Sequence, residues 1–430
     1  MSQTRYLKSM ITPTKVEPTT SDAHIEGTAS GVWSAQDQLE AKRGGAWPDA
    51  SVANPDTFIE NNFSTFLYTG DTSAADDSQS LTTGINLDGK GGLLWIACRS
   101  AARGHTLVDT AQNTSLSSAS TAAGATSHDI TLTSTGFTLG NGDAAYNNGT
   151  TPDTYCAWTF KQASNFFDIV TYTGSGSAQN ISHNLGSNPG MILIKNLSQT
   201  DNWAVYHRQD DPNTASADKY YILNTNAALS SGTAAWFNYA LPTSSVFTVN
   251  SDHSVNASGE NYVAYLFGHD TSSDGMIRCG QATISGDTTV NLGWEPQWVL
   301  YKKSSGTGNW NIIDNMRGFT ADGAISALYP NLTNAESAGS GYEKLTSTGF
   351  TMQNYTDGDI YIYVAIRRPN MATITDATEV FNIGTYGANR NNEATDQFFA
   401  GFPIDMQFNR NIAGNADTKI VARLTGINQL

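Results

Sequence analysis

Apolar positions along this chain come in short bursts. Runs of four to eight residues rich in Val, Ile, Tyr, Phe and Trp are separated by clusters of Gly, Asn, Asp, Ser and Thr. Short strands joined by turns have this pattern. Some runs alternate, as in Phe350-Thr-Met-Gln, and others, such as Tyr262 to Phe267, are almost continuously apolar. Alternation predicts a strand with one face in water; continuity predicts a central strand covered on both faces.

The bursts recur in a fixed order. Gly92-Leu-Leu-Trp-Ile-Ala-Cys-Arg leads to His105-Thr-Leu-Val-Asp, and Pro189-Gly-Met-Ile-Leu-Ile-Lys-Asn leads to Trp203-Ala-Val-Tyr-His-Arg. Pro296-Gln-Trp-Val-Leu-Tyr-Lys-Lys leads to Trp310-Asn-Ile-Ile-Asp, and Pro403-Ile-Asp-Met-Gln-Phe-Asn-Arg leads to Ile420-Val-Ala-Arg. Pro189, Pro296 and Pro403 stand 107 residues apart in turn, and Ala97 aligns with Lys195 at a distance of 98. Openings recur at Phe66-Leu-Tyr-Thr-Gly, Ile169-Val-Thr-Tyr-Thr-Gly and Phe381-Asn-Ile-Gly-Thr-Tyr. Closing pairs recur at Phe137 and Tyr155, Phe247 and Tyr262, and Phe350 and Tyr361. A unit of about 100 residues holding several short strands has the size of a β-sandwich, and is too long for a solenoid turn or a propeller blade. The expected fold is all-β, with tandem β-sandwich modules in series like beads on a string. The modules span 64–165, 166–273 and 274–372, with an incomplete fourth at 373–430.

Residues 1–63 differ. Residues 11–30 hold Thr, Ser, Glu and Pro without an apolar period and read as an extended arm. The stretch from Gly31 to Gly45 reads as a short helix. Ser34 is its N-cap with Asp37 three residues on, Lys42 and Arg43 suit the negative end, and Gly44 stops it. Trp33, Leu39 and Trp47 lie in or beside this helix, with little local core around them. They pack either on their own chain or on a partner, and as a docking set they make 1–63 an attachment region. At the other end, strands are expected at Phe381–Tyr386, Ile404–Phe408 and Ile420–Leu424, with no closing strand. Phe398, Phe399 and Phe402 would flank an incomplete core, which predicts cover from another module, subunit or partner.

Composition narrows the function. Of 430 residues, 39% are apolar and 10% aromatic, enough for packed cores and too many for a disordered acidic chain. Lys and Arg number 23 against 39 Asp and Glu, a net charge of −16 with no basic run. A nucleic-acid partner, which needs clustered cations, is not expected. The opening MSQTRYLKSMITPTKVEPTT lacks the apolar core of a secretion signal. The longest apolar run, Ile360–Ile366, falls far short of the roughly twenty residues a membrane span needs. Synthesis in a cytoplasm without membrane insertion is the expectation.

Chemistry-bearing motifs are sparse. Cys98, Cys156 and Cys279 are too scattered for a disulfide framework or a zinc site and read as small core residues. No complete phosphate loop, zinc-protease helix or nucleophile elbow occurs. Gly84–Lys90 has the glycine spacing of a phosphate loop, but Gly91 replaces the hydroxyl residue and no helix pattern follows. Asp76-Asp77, Asp210-Asp211 and Asp357-Gly-Asp359 offer hard oxygens of the kind Ca²⁺ takes, but lack EF-hand spacing and read as solvated turns. His207 and Arg208 close a strand and read as surface residues. No catalytic residue, metal or cofactor is expected, although a carboxylate pair assembled across strands is invisible to spacing. Trp236, Phe237 and Tyr239 lie in a polar loop. They are candidates for stacking on sugar faces, against the alternative of a satellite hydrophobic cluster under the loop.

The segment Gly31-Val-Trp-Ser…Gln38…Gly44-Gly-Ala-Trp-Pro resembles the N-terminal region of structural proteins from marine tailed bacteriophages, cyanophages among them. The repeat, with Tyr-Thr-Gly, Asn-Leu-Gly-x-x-Pro-Gly-Met-Ile-Leu-Ile-Lys-Asn, Asn-Trp-Ala-Val-Tyr-His and Asn256-Ala-Ser-Gly-Glu-Asn-Tyr, is similar to a module in the same proteins. The second unit matches best. The first has His105 where the pattern has Trp203, and the third lacks the Asn-Ala-Ser-Gly-Glu stretch. The resemblance implies a non-enzymatic virion protein, a tail fibre that contributes to host attachment. A capsid decoration or spike protein and a glycan-degrading tailspike are its alternatives. It also implies other virion proteins as partners through the N-terminal arm, host surface glycans as ligands, and a homotrimer or higher oligomer.

Overall fold

A computed structural model describes residues 57–369, apart from 72–77, 113, 126–127, 141–142, 149–151, 210–218, 232–234, 322–324 and 338–341, together with two short strands at 406–409 and 419–422. Trp33, Leu39 and Trp47, with Phe398, Phe399 and Phe402, lie outside the described residues. The first module contains β1 (Phe63–Thr69), β2 (Ser78–Thr82), β3 (Gly92–Cys98), β4 (Thr106–Asp109), β5 (Ser115–Ser117), β6 (Ile130–Leu132), β7 (Gly136–Gly140) and β8 (Thr154–Lys161). One sheet runs β1-β8-β3-β4-β5, the other β2-β7-β6.

The second module contains β9 (Phe167–Thr173), β10 (Gln179–Ser182), β11 (Met191–Asn196), β12 (Ala204–His207), β13 (Lys219–Ile222), β14 (Ser230–Ser231), β15 (Val246–Val249) and β16 (Asn261–Phe267). Its sheets run β9-β16-β11-β12-β13-β14 and β10-β15. The third contains β17 (Ile277–Thr283), β18 (Thr288–Asn291), β19 (Pro296–Lys303), β20 (Trp310–Asp314), β21 (Glu343–Thr346), β22 (Gly349–Met352) and β23 (Ile360–Arg367). Its sheets run β17-β23-β19-β20 and β18-β22-β21. Every named strand pairing is antiparallel, and the order is the same each time. The opening strand lies beside the closing strand, followed by the Gly/Pro-led strand and the next. The pairs Trp95 with Trp158, Leu193 with Tyr265, and Leu300 with Val364 mark the same level of the three larger sheets. The third module's opening strand, Ile-Arg-Cys-Gly-Gln-Ala-Thr, lacks the Tyr-Thr-Gly signature of its counterparts, so pattern alone does not reveal it. Two further strands, β24 (Met406–Asn409) and β25 (Lys419–Ala422), pair antiparallel and overlap the strands expected there.

Each module has its own core between its two sheets. In the first, Leu94 and Ile96 of β3 meet Phe137 and Leu139 of β7. Alternate residues of β3 point the other way. Leu93, Trp95 and Ala97 join a second core that also takes Met191 and Leu193 of β11, Leu300 and Ile312 of the third module, and the three closing strands. This is why β3 is buried along its whole length: period-two alternation sends its side chains to two different dry interiors. The modules follow one another along the chain, but they are not independent beads. Their three larger sheets turn their backs on one another and share a core. At its centre Phe160 lies 5.4 Å from Phe167, 5.6 Å from Phe267 and 5.8 Å from Trp298, ring centre to ring centre.

The contacts between modules repeat as the core does. Trp203 Nε1 donates to the carbonyl of Ser117 in the first module (3.0 Å), and Trp310 Nε1 to that of Ile222 in the second (3.1 Å). Ser117 and Ile222 occupy matching positions, opposite Thr106 and Ala204. Four residues further on, the carbonyls of Thr121 and Asn226 accept from Lys195 (3.1 Å) and Lys302 (3.3 Å). Both ammonium groups are buried, and burial lowers each pKa to about 8. A third contact closes the ring. Trp158 Nε1 donates to Asp314 (3.0 Å), the Tyr265 hydroxyl to Asp109 (2.7 Å), and His207 Nε2 to the Tyr363 carbonyl (3.0 Å). Asp109, His207 and Asp314 are equivalent positions, so each module meets the closing strand of its neighbour from the same place in its own sheet. His207 is therefore buried between modules, which overturns its expected surface role. A close approach fixes Gly190: a Cβ there would sit 2.4 Å from the Cys279 Sγ of the third module. Cys98, Cys156 and Cys279 are free and buried.

Burial also sets a pH dependence. Desolvation lowers His105 and His207 to about 3 and His269 to about 4. At His207 the geometry agrees, since Nδ1 accepts from the Gln209 amide while Nε2 donates, the pattern of a neutral ring. The unfolded chain takes up protons on these rings near pH 6.5, the folded chain only far below. Their contribution to stability is therefore lost as pH falls from about 6.5 towards 4, at up to roughly 1.4 kcal/mol per pH unit for each ring. His207→Gln keeps a donor for the Tyr363 carbonyl but does not titrate. Urea unfolding between pH 6 and 4.5 should show a stability slope smaller by about 1.4 kcal/mol per unit than wild type. Equal slopes would mean that His207 is charged in the fold.

Candidate functional site

A cleft of about 490 Å³ opens between the two sheets of the third module. Alternation along the strands places its walls. Tyr301 and Lys303 lie two apart on β19 and share a face, Asn311 comes from β20, and Tyr361 from β23. The smaller sheet contributes Glu343, at the start of β21, and the adjacent Tyr342. Asn354 and Tyr355 follow β22, and Asp359 precedes β23. Asn354 holds φ at +57°, in the left-handed region that Asn tolerates better than most residues.

The rings form a cup. Tyr355 sits 4.8 Å from Tyr361 at an interplanar angle of 58°, and 5.8 Å from Tyr342 at 72°. Tyr342 is 45% exposed, so ring surface remains open to solvent at the rim. The Tyr355 hydroxyl donates to Glu343 Oε1 and lies 3.2 Å from the Tyr301 hydroxyl. Burial raises the Glu343 carboxyl above its usual range, partly opposed by the hydrogen bonds from the two tyrosines. Burial likewise pushes Tyr361 up to about 12. Asp359 pairs with Lys303 at 2.7 Å and accepts from Ser305 Oγ at 3.2 Å. Asn309 and Asn311 line the same wall. Asn331 donates to Asn309 Oδ1, and Asn311 Nδ2 donates to the Asn309 carbonyl. Among the described residues Asn309 Nδ2 and Asn311 Oδ1 keep no partner, which leaves one donor and one acceptor. The cleft thus offers ring surface, the Asp359 carboxylate, and amide groups of both polarities. Chemically this is a binding surface for a ligand that both donates and accepts hydrogen bonds.

The loop aromatics of the second module lie elsewhere. Trp236 stacks on Tyr220 at 3.9 Å and 14°, and with Phe237 it belongs to the core of its own sandwich. The structure therefore corrects the reading of these two as sugar-stacking rings: Trp236 is 7% and Phe237 3% exposed. Tyr239 is 53% exposed and keeps an open ring. Of the acidic pairs, Asp357-Gly-Asp359 is described. Asp357 accepts from the Gly286 amide at 2.7 Å, and Asp359 belongs to the cleft. Asp76, Asp77, Asp210 and Asp211 lie outside the described residues. Among the described residues no group of three or more His, Cys, Asp or Glu side chains is placed to hold a metal ion, and no helix is long and apolar enough to cross a membrane. Spacing did not single out Glu343, Tyr342 or Tyr355. The available signal was the density of tyrosines in polar surroundings between residues 342 and 361.

Fold and cleft together define a class: all-β proteins in which repeated antiparallel sandwiches close on a common interior. Residues 60–368 match the model of a family described as Domain of unknown function (DUF7483), and the chain belongs to that family. The match starts just before β1 and stops just after β23. The family unit is therefore the whole three-module head, not a single sandwich. No curated protein matches the chain.

Proposed function

We propose that this protein is a non-enzymatic structural component of a tailed-bacteriophage particle, a tail fibre that contributes to host attachment. The observation that supports this reading most is the shared core, to which the larger sheets of all three sandwiches contribute. Such a body is stiff and is suited to carrying load and presenting a surface. The resemblance of the repeat and of the Gly31–Pro48 segment to phage structural proteins points the same way. On this reading residues 1–63 attach the head to another virion protein or to a neighbouring copy, and the fibre is a homotrimer.

The test is direct. Purified particles should contain the chain by peptide mass spectrometry, and an antibody against residues 58–369 should label the tail in electron micrographs. Label on the capsid shell would favour a decoration protein. Absence from the particle would overturn the proposal. Release of reducing sugar from host polysaccharide by the purified chain would replace it with a glycan-degrading tailspike.

A further inference from the structure

We propose that the tyrosine-lined cleft of the third module is a binding site for a neutral saccharide. The volume, about 490 Å³, falls within the roughly 300–1,000 Å³ of pockets that hold small organic ligands. Its chemistry selects among them. Sugars present C–H faces that lie against aromatic rings and hydroxyls that donate and accept at once. The cleft supplies both complements: the open ring of Tyr342 at the rim with Tyr355 behind it, and Asn309 Nδ2 and Asn311 Oδ1 with unused hydrogen-bonding capacity. The Asp359 carboxylate adds a strong acceptor for hydroxyl protons.

Charge excludes the obvious competitors. Lys303 is the cation on the wall, and its ammonium is already held by Asp359 at 2.7 Å. That pair leaves the wall without an uncompensated positive charge for a phosphate, a sulfate or an acidic sugar, and the chain carries a net charge of −16. A purely apolar ligand would leave the unsatisfied amides of the wall stripped of water.

The proposal bears on host attachment but does not rest on it, because it concerns the cleft alone. The full chain, labelled with a fluorophore, would be applied to an array of neutral and acidic glycans. Binding to one or more neutral glycans is expected, with acidic glycans blank. Tyr342→Ala, at an exposed position, should weaken that binding roughly tenfold, the loss expected when the ring that stacks on the sugar is removed. Asn311→Ala should weaken it as well, while Tyr239→Ala, on the second module, should bind like wild type. Unchanged unfolding transitions would establish that the variants are folded. Soluble neutral trisaccharide should compete with intact host cells for the protein if the ligand is a cell-surface glycan, and only with array glycans if it is a free polysaccharide. No binding to any neutral glycan, preference for acidic ones, or indifference to Tyr342→Ala would overturn the assignment. Absence of the chain from phage particles would not, so the two proposals fail separately.

Discussion

Residues 58–162 expressed alone are expected to aggregate or self-associate, whereas residues 58–369 are expected to stay monodisperse and unfold in one cooperative step. The first module satisfies its inner core by itself, because its two sheets cover each other. Its outer face is different. Leu93, Trp95, Leu107, Leu116, Trp158 and Phe160 are at most 3% exposed in the intact head, and the other two modules cover them. Excision returns all six to water. At about 1.5–3 kcal/mol for each large side chain, the lost burial exceeds roughly 9 kcal/mol, comparable to the entire 5–15 kcal/mol stability of an ordinary domain. The same six residues form a contiguous apolar patch of the kind that drives association. Size-exclusion chromatography and dye binding at several concentrations, with urea unfolding followed by tryptophan fluorescence, would measure the difference. A soluble monomeric fragment with a cooperative transition would show that the module is self-sufficient.

The second large effect is expected at Asp314. Its carboxylate accepts from Arg317 Nε at 2.8 Å, from the Arg317 amide at 3.0 Å and from Trp158 Nε1 at 3.0 Å. Arg317 is wholly buried, with its guanidinium 5.5 Å from the centre of the Trp158 ring, and its remaining carboxylate partner is Glu336 at 2.9 Å. Glu336 also pairs with Arg99 of the first module. Asp314→Ala leaves a buried cation short of its nearest anion and strands the indole N–H of another module. A loss of about 3–5 kcal/mol is expected in urea unfolding, the usual result of removing one partner of a buried pair. Asp314→Asn keeps the shape but not the charge and should fall in between. In a double-mutant cycle with Trp158→Phe, the two changes should couple by about 0.5–3 kcal/mol, since the residues touch across a module boundary. Strict additivity would place the stabilisation within the third module alone.

Much of this architecture is legible in the sequence, and the part that is not has physical reasons. Repeated anchors such as Pro189 and Pro296 give the register of the modules, and the continuous apolar runs announce strands buried on both faces. Periodicity states that a face is covered but not by what. The second faces of β3, β11 and β19 are covered by one another, and no local pattern distinguishes that from cover by a separate subunit. His207 looks like a strand end facing water, yet the next module's backbone lies over it. Trp236 sits among turn-forming residues and reads as a loop residue, but the loop folds back and seats it on Tyr220. The cleft is the least legible feature. Tyr301 and Tyr361 are indistinguishable from ordinary core tyrosines along their strands, and Glu343 lies forty-two residues from Tyr301. Only the fold brings them together.

The ring of three sandwiches has a further consequence, because it is drawn from one chain. Three separate subunits would have to meet by diffusion, and their assembly would weaken on dilution. Here the joints are intramolecular and form at an effective concentration set by short connections such as 162–166 and 268–276, so unfolding of the head should not depend on protein concentration. A symmetric trimer must also carry the same residue at all three copies of a joint. This chain carries Ala97, Lys195 and Lys302 at one such position and His105, Trp203 and Trp310 at another. Each corner can therefore take its own mutations without disturbing the other two, and a binding cleft at one corner need not be repeated at the rest.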